Sequence, residues 1–178
     1  MSDELFSKVI AEEQNRMPGL TVRYTELSDA SYLKTWLSDP EVSSWFPMAN
    51  EVEIEDATRR WISFAQIKSS ITAELNGVPC GIATLYLQAY KKLLHQAEFG
   101  IIVGPGFRSK GIGTFLIKRL MRLAKEQFRL ELLHLQVYAE NPAMRLYRRM
   151  GFREFGKQSH WIKEEDRYVG RIFMERFL

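Results

Sequence analysis

Val103-Gly-Pro-Gly-Phe-Arg-Ser-Lys-Gly-Ile-Gly-Thr114 is the stretch on which the fold turns. Before it, Phe99, Ile101 and Val103 alternate as in a half-buried strand. After it, Ile112, Phe115, Leu116, Leu120 and Leu123 recur at helical spacing. The joint holds Gly111 and Gly113 behind the basic run Arg108-Ser109-Lys110. Glycine lets a backbone bend and lets a ligand come close. The free N–H groups of a helix start, aided by the helix dipole, attract phosphate. The stretch therefore reads as a strand, a phosphate-binding loop and a helix, with an ordinary glycine-rich turn as the plain alternative.

Two familiar phosphate loops do not fit. A nucleotide-binding loop of the Gly-x4-Gly-Lys-Ser/Thr type would need lysine where Ile112 stands. A dinucleotide fingerprint would need a third glycine where Leu116 stands. What remains, Arg108-Ser-Lys-Gly-Ile-Gly113, resembles the Arg/Gln-x-x-Gly-x-Gly/Ala signature of the GNAT superfamily of acetyltransferases. A second segment, Asn141-Pro-Ala-Met-Arg-Leu-Tyr147-Arg-Arg-Met-Gly-Phe152, follows the alternating Leu133-to-Tyr138 run. It is similar to the family's Asn-x-x-(Ala)-x-x-Leu-Tyr-x-x-x-Gly-Phe segment, in which the alanine is optional. Its physics is independent of the likeness: proline suits a first helical turn and glycine a helix end.

The resemblance covers residues 20–178 in pattern, with its specific motifs in 98–152. It implies an α/β (α+β) domain with a mixed, strongly twisted sheet flanked by helices, and acetyl-coenzyme A as co-substrate. By resemblance, Arg108, Ser109, Lys110, Gly111, Ile112, Gly113 and Thr114 hold the coenzyme's pyrophosphate. Main-chain groups of Ile101, Ile102 and Val103, with Asn141, meet its pantetheine arm.

The order read along the chain is β-α-α-β-β-β-α-β-α-β-β. Residues 1–19 form an N-terminal extension whose Leu5, Phe6, Val9 and Ile10 suit a short amphipathic helix, closed by Pro18-Gly19. A first strand at Thr21-to-Thr25 precedes a helix capped near Ser28-Asp29, with Tyr32, Leu33, Trp36 and Leu37 inward. The aperiodic Val42-to-Pro47 reads as a loop before a helix over 52–67. Asn76-Gly77 turns a hairpin between 71–75 and 80–87. A helix is expected over 142–150, then two strands around the acidic turn Glu164-Glu165-Asp166.

Composition narrows the class. At 178 residues and 46% hydrophobic content, the chain can bury one good core. Cys80 is the single cysteine, which excludes a disulfide framework and points to a reducing, cytoplasmic setting. Three separated histidines give no metal-ligand spacing. No apolar run is long enough to span a bilayer, and no basic-then-apolar leader opens the chain. The net charge of +3 is concentrated in 108–130. A basic nucleic-acid surface and a coenzyme-phosphate site with a solvated helix face both fit that cluster. The second is favoured, because no nucleic-acid motif accompanies the charge.

The resemblance makes Tyr147 the general acid, facing the thioester sulfur, and a phenol suits protonation of a thiolate. Glu98 is the base candidate: alternation puts it on one face with Gly100 and Ile102. Packing and salt-bridge roles are the plain alternatives for these two. Trp45, Phe46 and Trp161 fall on elements that frame the family's acceptor cleft, and with acids 164–166 they would suit an amine-bearing acceptor. The expected activity is acetyl transfer to the primary amine of a protein N-terminus or a small molecule. A non-catalytic acyl-coenzyme A-binding or nucleic-acid-associated regulator is the other class, and a homodimer is left open.

Overall fold

The structure, a computed structural model, describes residues 17–178. Within them run β1 (Leu20–Tyr24), α1 (Ala30–Leu37), α2 (Pro40–Ser43), α3 (Glu51–Ser63), β2 (Ser70–Leu75), β3 (Val78–Leu87) and β4 (Gln96–Val103). Then follow α4 (Ile112–Glu126), β5 (Leu132–Tyr138), α5 (Met144–Arg149), β6 (Arg153–Glu164) and β7 (Arg167–Phe177). The seven strands make one sheet in the order β1-β2-β3-β4-β5-β7-β6. Every pairing is antiparallel except β4 with β5. The expected mixed sheet flanked by helices is what forms.

Two apolar clusters cover the two faces. Alternation in β4 sends Ala97 and Phe99 toward α4, whose Phe115, Leu116 and Leu120 are buried in the same cluster. Each such leucine or phenylalanine side chain contributes about 1.5–3 kcal/mol when fully buried. Ile102 points the other way and joins Ile82 beneath Leu33, Trp36 and Trp61 of α1 and α3. The hairpin turn at Asn76-Gly77 has φ of 52° and 78°, the paired left-handed geometry that Asn-Gly accepts.

Polar groups also dock α3. The Trp61 indole donates to Thr84 Oγ1 at 2.6 Å, and Thr84 joins Ser70 at 2.6 Å. Thr25 meets Ser70 at 2.8 Å, the Thr25 and Thr72 hydroxyls lie 3.0 Å apart, and Thr72 donates its one proton to Asp29 at 2.9 Å. Arg23 clamps Asp29 with two bonds of 2.8 Å. Burial alone would raise the Asp29 carboxyl, but the Arg23 bond, the Glu26 amide and the Thr72 hydroxyl outweigh it and hold it below 3.8.

The structure corrects several expectations. Tyr32 is 40% exposed rather than inward, because the buried stripe of α1 is Leu33, Trp36 and Leu37. The first part of the 42–47 loop belongs to helix α2: Pro40 sits at its first turn and Asp39 accepts the Glu41 N–H at 2.9 Å. The same Pro40 that stops α1 thus starts a new helix. The helix expected over 52–67 ends at Ser63 and tightens into a 3-10 turn over Phe64–Ile67. The helix expected over 142–150 is shortened to 144–149, because Asn141 Oδ1 takes the Ala143 N–H at 2.8 Å and spends that stretch on a turn. The amphipathic pattern around Leu5 to Ile10 lies outside the described residues.

Candidate active site

β4 and β5 pair only through Gln96–Leu132, Ala97–Leu133 and Glu98–His134. Beyond that point β4 stays with β3 as far as Val103, and β5 stays with β7 as far as Tyr138. The two parallel strands therefore diverge, and their facing edges from Phe99 and Leu135 onward carry no ladder between them. A cleft of about 1390 Å³ opens over this gap, lined by both strands and by residues of α3, the α2–α3 loop and α5. Small-molecule pockets usually measure ~300–1,000 Å³. This one has room for an extended coenzyme and an acceptor.

The glycine loop lies at one end. Gly111 caps α4 with φ of 90°, a conformation that strains any side chain. The first intrahelical bond runs from Phe115 N–H to the Gly111 carbonyl. The amides of Ile112, Gly113 and Thr114 precede it and point out of the helix end, with the positive end of the dipole behind them. A Cβ on Gly113 would meet Leu146 Cδ2 at 3.0 Å, so this glycine also lets α5 approach α4. The loop fits a pyrophosphate through backbone donors.

Its side chains divide. Arg108, Ser109 and Thr114 line the cleft. Arg108 also donates to the carbonyls of Val103 and Glu41, each at 3.3 Å, which ties the loop to β4 and α2. Lys110 does not line the cleft; its ammonium stands 6.0 Å from the Phe107 ring centroid. Ile112 is 1% exposed and packs in the core, so only its main chain can face a ligand. Ile101, Ile102, Val103 and Asn141 all line the cleft.

Tyr147 reaches the cleft from α5. Its ring is buried against Phe99 and Phe152, at centroid distances of 6.1 and 6.3 Å. Burial pushes the phenol well above its usual range, so the hydroxyl is protonated in the free enzyme and available as a donor.

Glu98 lies on the opposite face, with Gly100 and Ile102, and lines the same cleft. Its Oε1 accepts from Gln136 Nε2 at 2.7 Å. Gln136 Oε1 in turn accepts from Arg171, and Arg171 Nε donates to Gln158 Oε1 at 2.9 Å. A guanidinium can only donate and a carboxylate only accepts, so the orientation of the Gln136 carboxamide is fixed from both ends. Tyr86, the ladder partner of Glu98, also lines the cleft; burial first and Glu98 second push its phenol up. His134 is the partner of Glu98 across the β4–β5 ladder, and burial lowers its imidazole pKa despite the nearby carboxylates of Glu98 and Glu175.

Trp45, Phe46 and Trp161 are brought together as cleft walls. Trp45 and Trp161 both stand edge-on to Tyr138, at 6.3 and 5.1 Å, and Phe46 packs 6.0 Å from Trp61. The acids at 164–166 do not line the cleft: Glu164 is taken by Arg167 at 2.6 Å, while Glu165 and Asp166 are exposed at the β6–β7 turn. Sequence reading missed Gln136 and Arg171. Alternation could have put Gln136 on the face of His134 and Tyr138, but the β5–β7 register that brings Arg171 beside it leaves no local signal.

The acetyltransferase (GNAT) family model matches residues 28–152, which include the gap, the glycine loop and α5. The chain belongs to the GNAT acetyltransferase family. This enzyme is 22% identical over 165 residues to the L-amino acid N-acetyltransferase AaaT of Escherichia coli K12, covering 90% of this chain and 99% of that one. Its fold matches the ribosomal-protein-alanine N-acetyltransferase of Brucella melitensis at a TM-score of 0.75 and 24% identity, over 89% of this chain and 99% of the other. It also matches yncA of Salmonella typhimurium, a putative acetyltransferase solved with its cofactor acetyl-CoA, at a TM-score of 0.71 and 19% identity, over 89% and 94% of the two chains. The GNAT enzyme transfers acetyl from acetyl-coenzyme A to an amine. No helix among its described residues is long and apolar enough to cross a membrane.

Proposed function

We propose that the two reactants meet in the β4–β5 gap from opposite sides of the sheet. The observation that carries this reading is the divergence after Glu98–His134, with Glu98 on one face of the opening and Tyr147 on the other. The amides at the start of α4 hold the pyrophosphate, and unpaired main-chain groups of Ile101 to Val103, with Asn141, align the pantetheine arm. The acceptor amine enters on the side of Trp45, Phe46 and Trp161.

Glu98 takes the proton that the amine sheds, directly or through one water. The amine lone pair forms the new C–N bond while the carbonyl π pair moves onto oxygen, where a free N–H of the β4 edge receives it. When the C–S bond breaks, its electron pair leaves on sulfur, and Tyr147 supplies a proton to that thiolate and recovers one from solvent, to which Glu98 returns the proton shed by the amine. The products are the amide and the free thiol. The acceptor is a primary amine, presented by a small molecule or a protein N-terminus. Free-thiol release from acetyl-coenzyme A, measured across amino acids, peptides, polyamines and amino-sugars, tests the reading. Amine-dependent release is expected, and an enzyme that binds the coenzyme yet releases no thiol with any amine would refute it.

A further inference from the structure

Arg171 is held as a ready anion receptor. Its guanidinium lies 4.7 Å from the Trp161 ring centroid and 4.7 Å from that of Phe173. Its two hydrogen bonds go to amide oxygens, of Gln136 and Gln158, and it forms no ion pair among the described residues. The neighbouring arginines differ: Arg167 is paired with Glu164, and Arg148 with Glu154. A guanidinium has five N–H donors, so three of those on Arg171 are left for another acceptor. Arg171 does not itself line the cleft, but it touches Gln136 and Trp161, which both do.

The geometry points to a free α-amino acid as the acceptor, with its amine at Glu98 and its carboxylate at Arg171. This rests on the acetyltransferase reading of the cleft. Glu98 and Arg171 are joined by the single carboxamide of Gln136, which presents its nitrogen to the acid and its oxygen to the guanidinium. An α-amino carboxylate carries the same order of groups with one more carbon between them: a nitrogen that donates, Cα, the carboxyl carbon, and oxygens that accept. It can therefore lie alongside Gln136 and span the same two charges. Its side chain then falls among Trp45, Phe46 and Tyr138, which favours large apolar or aromatic residues. A peptide N-terminus lacks a carboxylate at that distance, and a polyamine would place a second cation against Arg171. Arginine suits the task better than lysine, because its planar fork matches a carboxylate and stacks on rings.

The test compares free phenylalanine, leucine and methionine with their carboxamides, with dipeptides and with spermidine, using free-thiol release by the whole chain. Free acids should exceed their amides by at least about 10-fold in kcat/KM, a discrimination within reach of one charge-assisted pair. Arg171→Gln should raise KM for the free acids by about 10–100-fold, and by clearly more than it raises KM for their amides, which share only the loss of Arg171's hold on Gln136. Arg171→Lys should recover part of the loss. The melting temperature of each variant, and its shift with acetyl-coenzyme A, separates a lost receptor from a damaged fold. Amides, peptides or spermidine used as well as free acids, with Arg171→Gln acting equally on all, would overturn the α-amino acid assignment and leave acetyl transfer standing. No thiol release with any amine would overturn both.

Discussion

Tyr147 shows what one side chain is asked to do when burial sets its chemistry. Its ring is packed among Phe99 and Phe152, while its hydroxyl has no hydrogen-bond partner among the described residues. Packing would be served equally well by phenylalanine, so the hydroxyl needs another reason to be there. Tyr147→Phe should lower kcat by about 10²–10⁴-fold with coenzyme binding and melting temperature nearly intact, the range for a positioned proton donor. Single-turnover kinetics check this, and an unchanged chemical step would reduce Tyr147 to a core residue. The sign of the pH dependence follows from its raised pKa. The rate should climb with pH as the acceptor amine loses its proton, with no descending limb from Tyr147 up to about pH 10, where an ordinary tyrosine would ionise.

At the scale of elements, local patterns were legible and pairings were not. The glycine loop, the Asn-Gly hairpin and α4 are written in contiguous residues, and each formed where its pattern lies. The pairing of β5 with β7 brings together residues some thirty-five positions apart, Gln136 and Arg171, and nothing near either predicts the other. The same limit hid a second reason for Gly113. Its lack of a side chain suits phosphate approach, but it also admits Leu146 of α5. Gly113→Val therefore carries two penalties, which one experiment can separate. Acetyl-coenzyme A at about 100 times its Kd should stabilise the parent by ~2.7 kcal/mol, or about 5–10 °C for a chain of this size. In Gly113→Val the melting temperature without ligand should fall as well, and the ligand-induced rise measured from that lower baseline should vanish. A retained rise would mean the coenzyme's phosphates lie elsewhere.

For the molecule as a whole, the buried hydroxyl chain from Trp61 to Asp29 makes stability depend on a carboxylate far from the gap. The folded pKa of Asp29 is held below the unfolded value, so its contribution is complete above about pH 4 and is lost as pH falls through the folded pKa. Asp29→Asn should cost about 1–3 kcal/mol at neutral pH, discounted because Arg23 is partly solvated and keeps Glu74. The variant's stability should also fall less steeply than the parent's below pH 4. Denaturant midpoints at pH 3 and pH 7 decide it, and parallel losses in both proteins would remove Asp29 as the acid-sensitive group. The diverging strands have a consequence for life in a crowded solution. Exposed strand edges invite other chains to add to a sheet. Here the bare edges of β4 and β5 face each other in a wedge that closes to normal ladder spacing at Glu98 and His134. A foreign strand would have to run out of both ends of the groove it joins, and this groove is blind at one end. The enzyme thus keeps backbone donors and acceptors open to a thin, flexible arm while denying them to the polymerising strands that such edges usually attract.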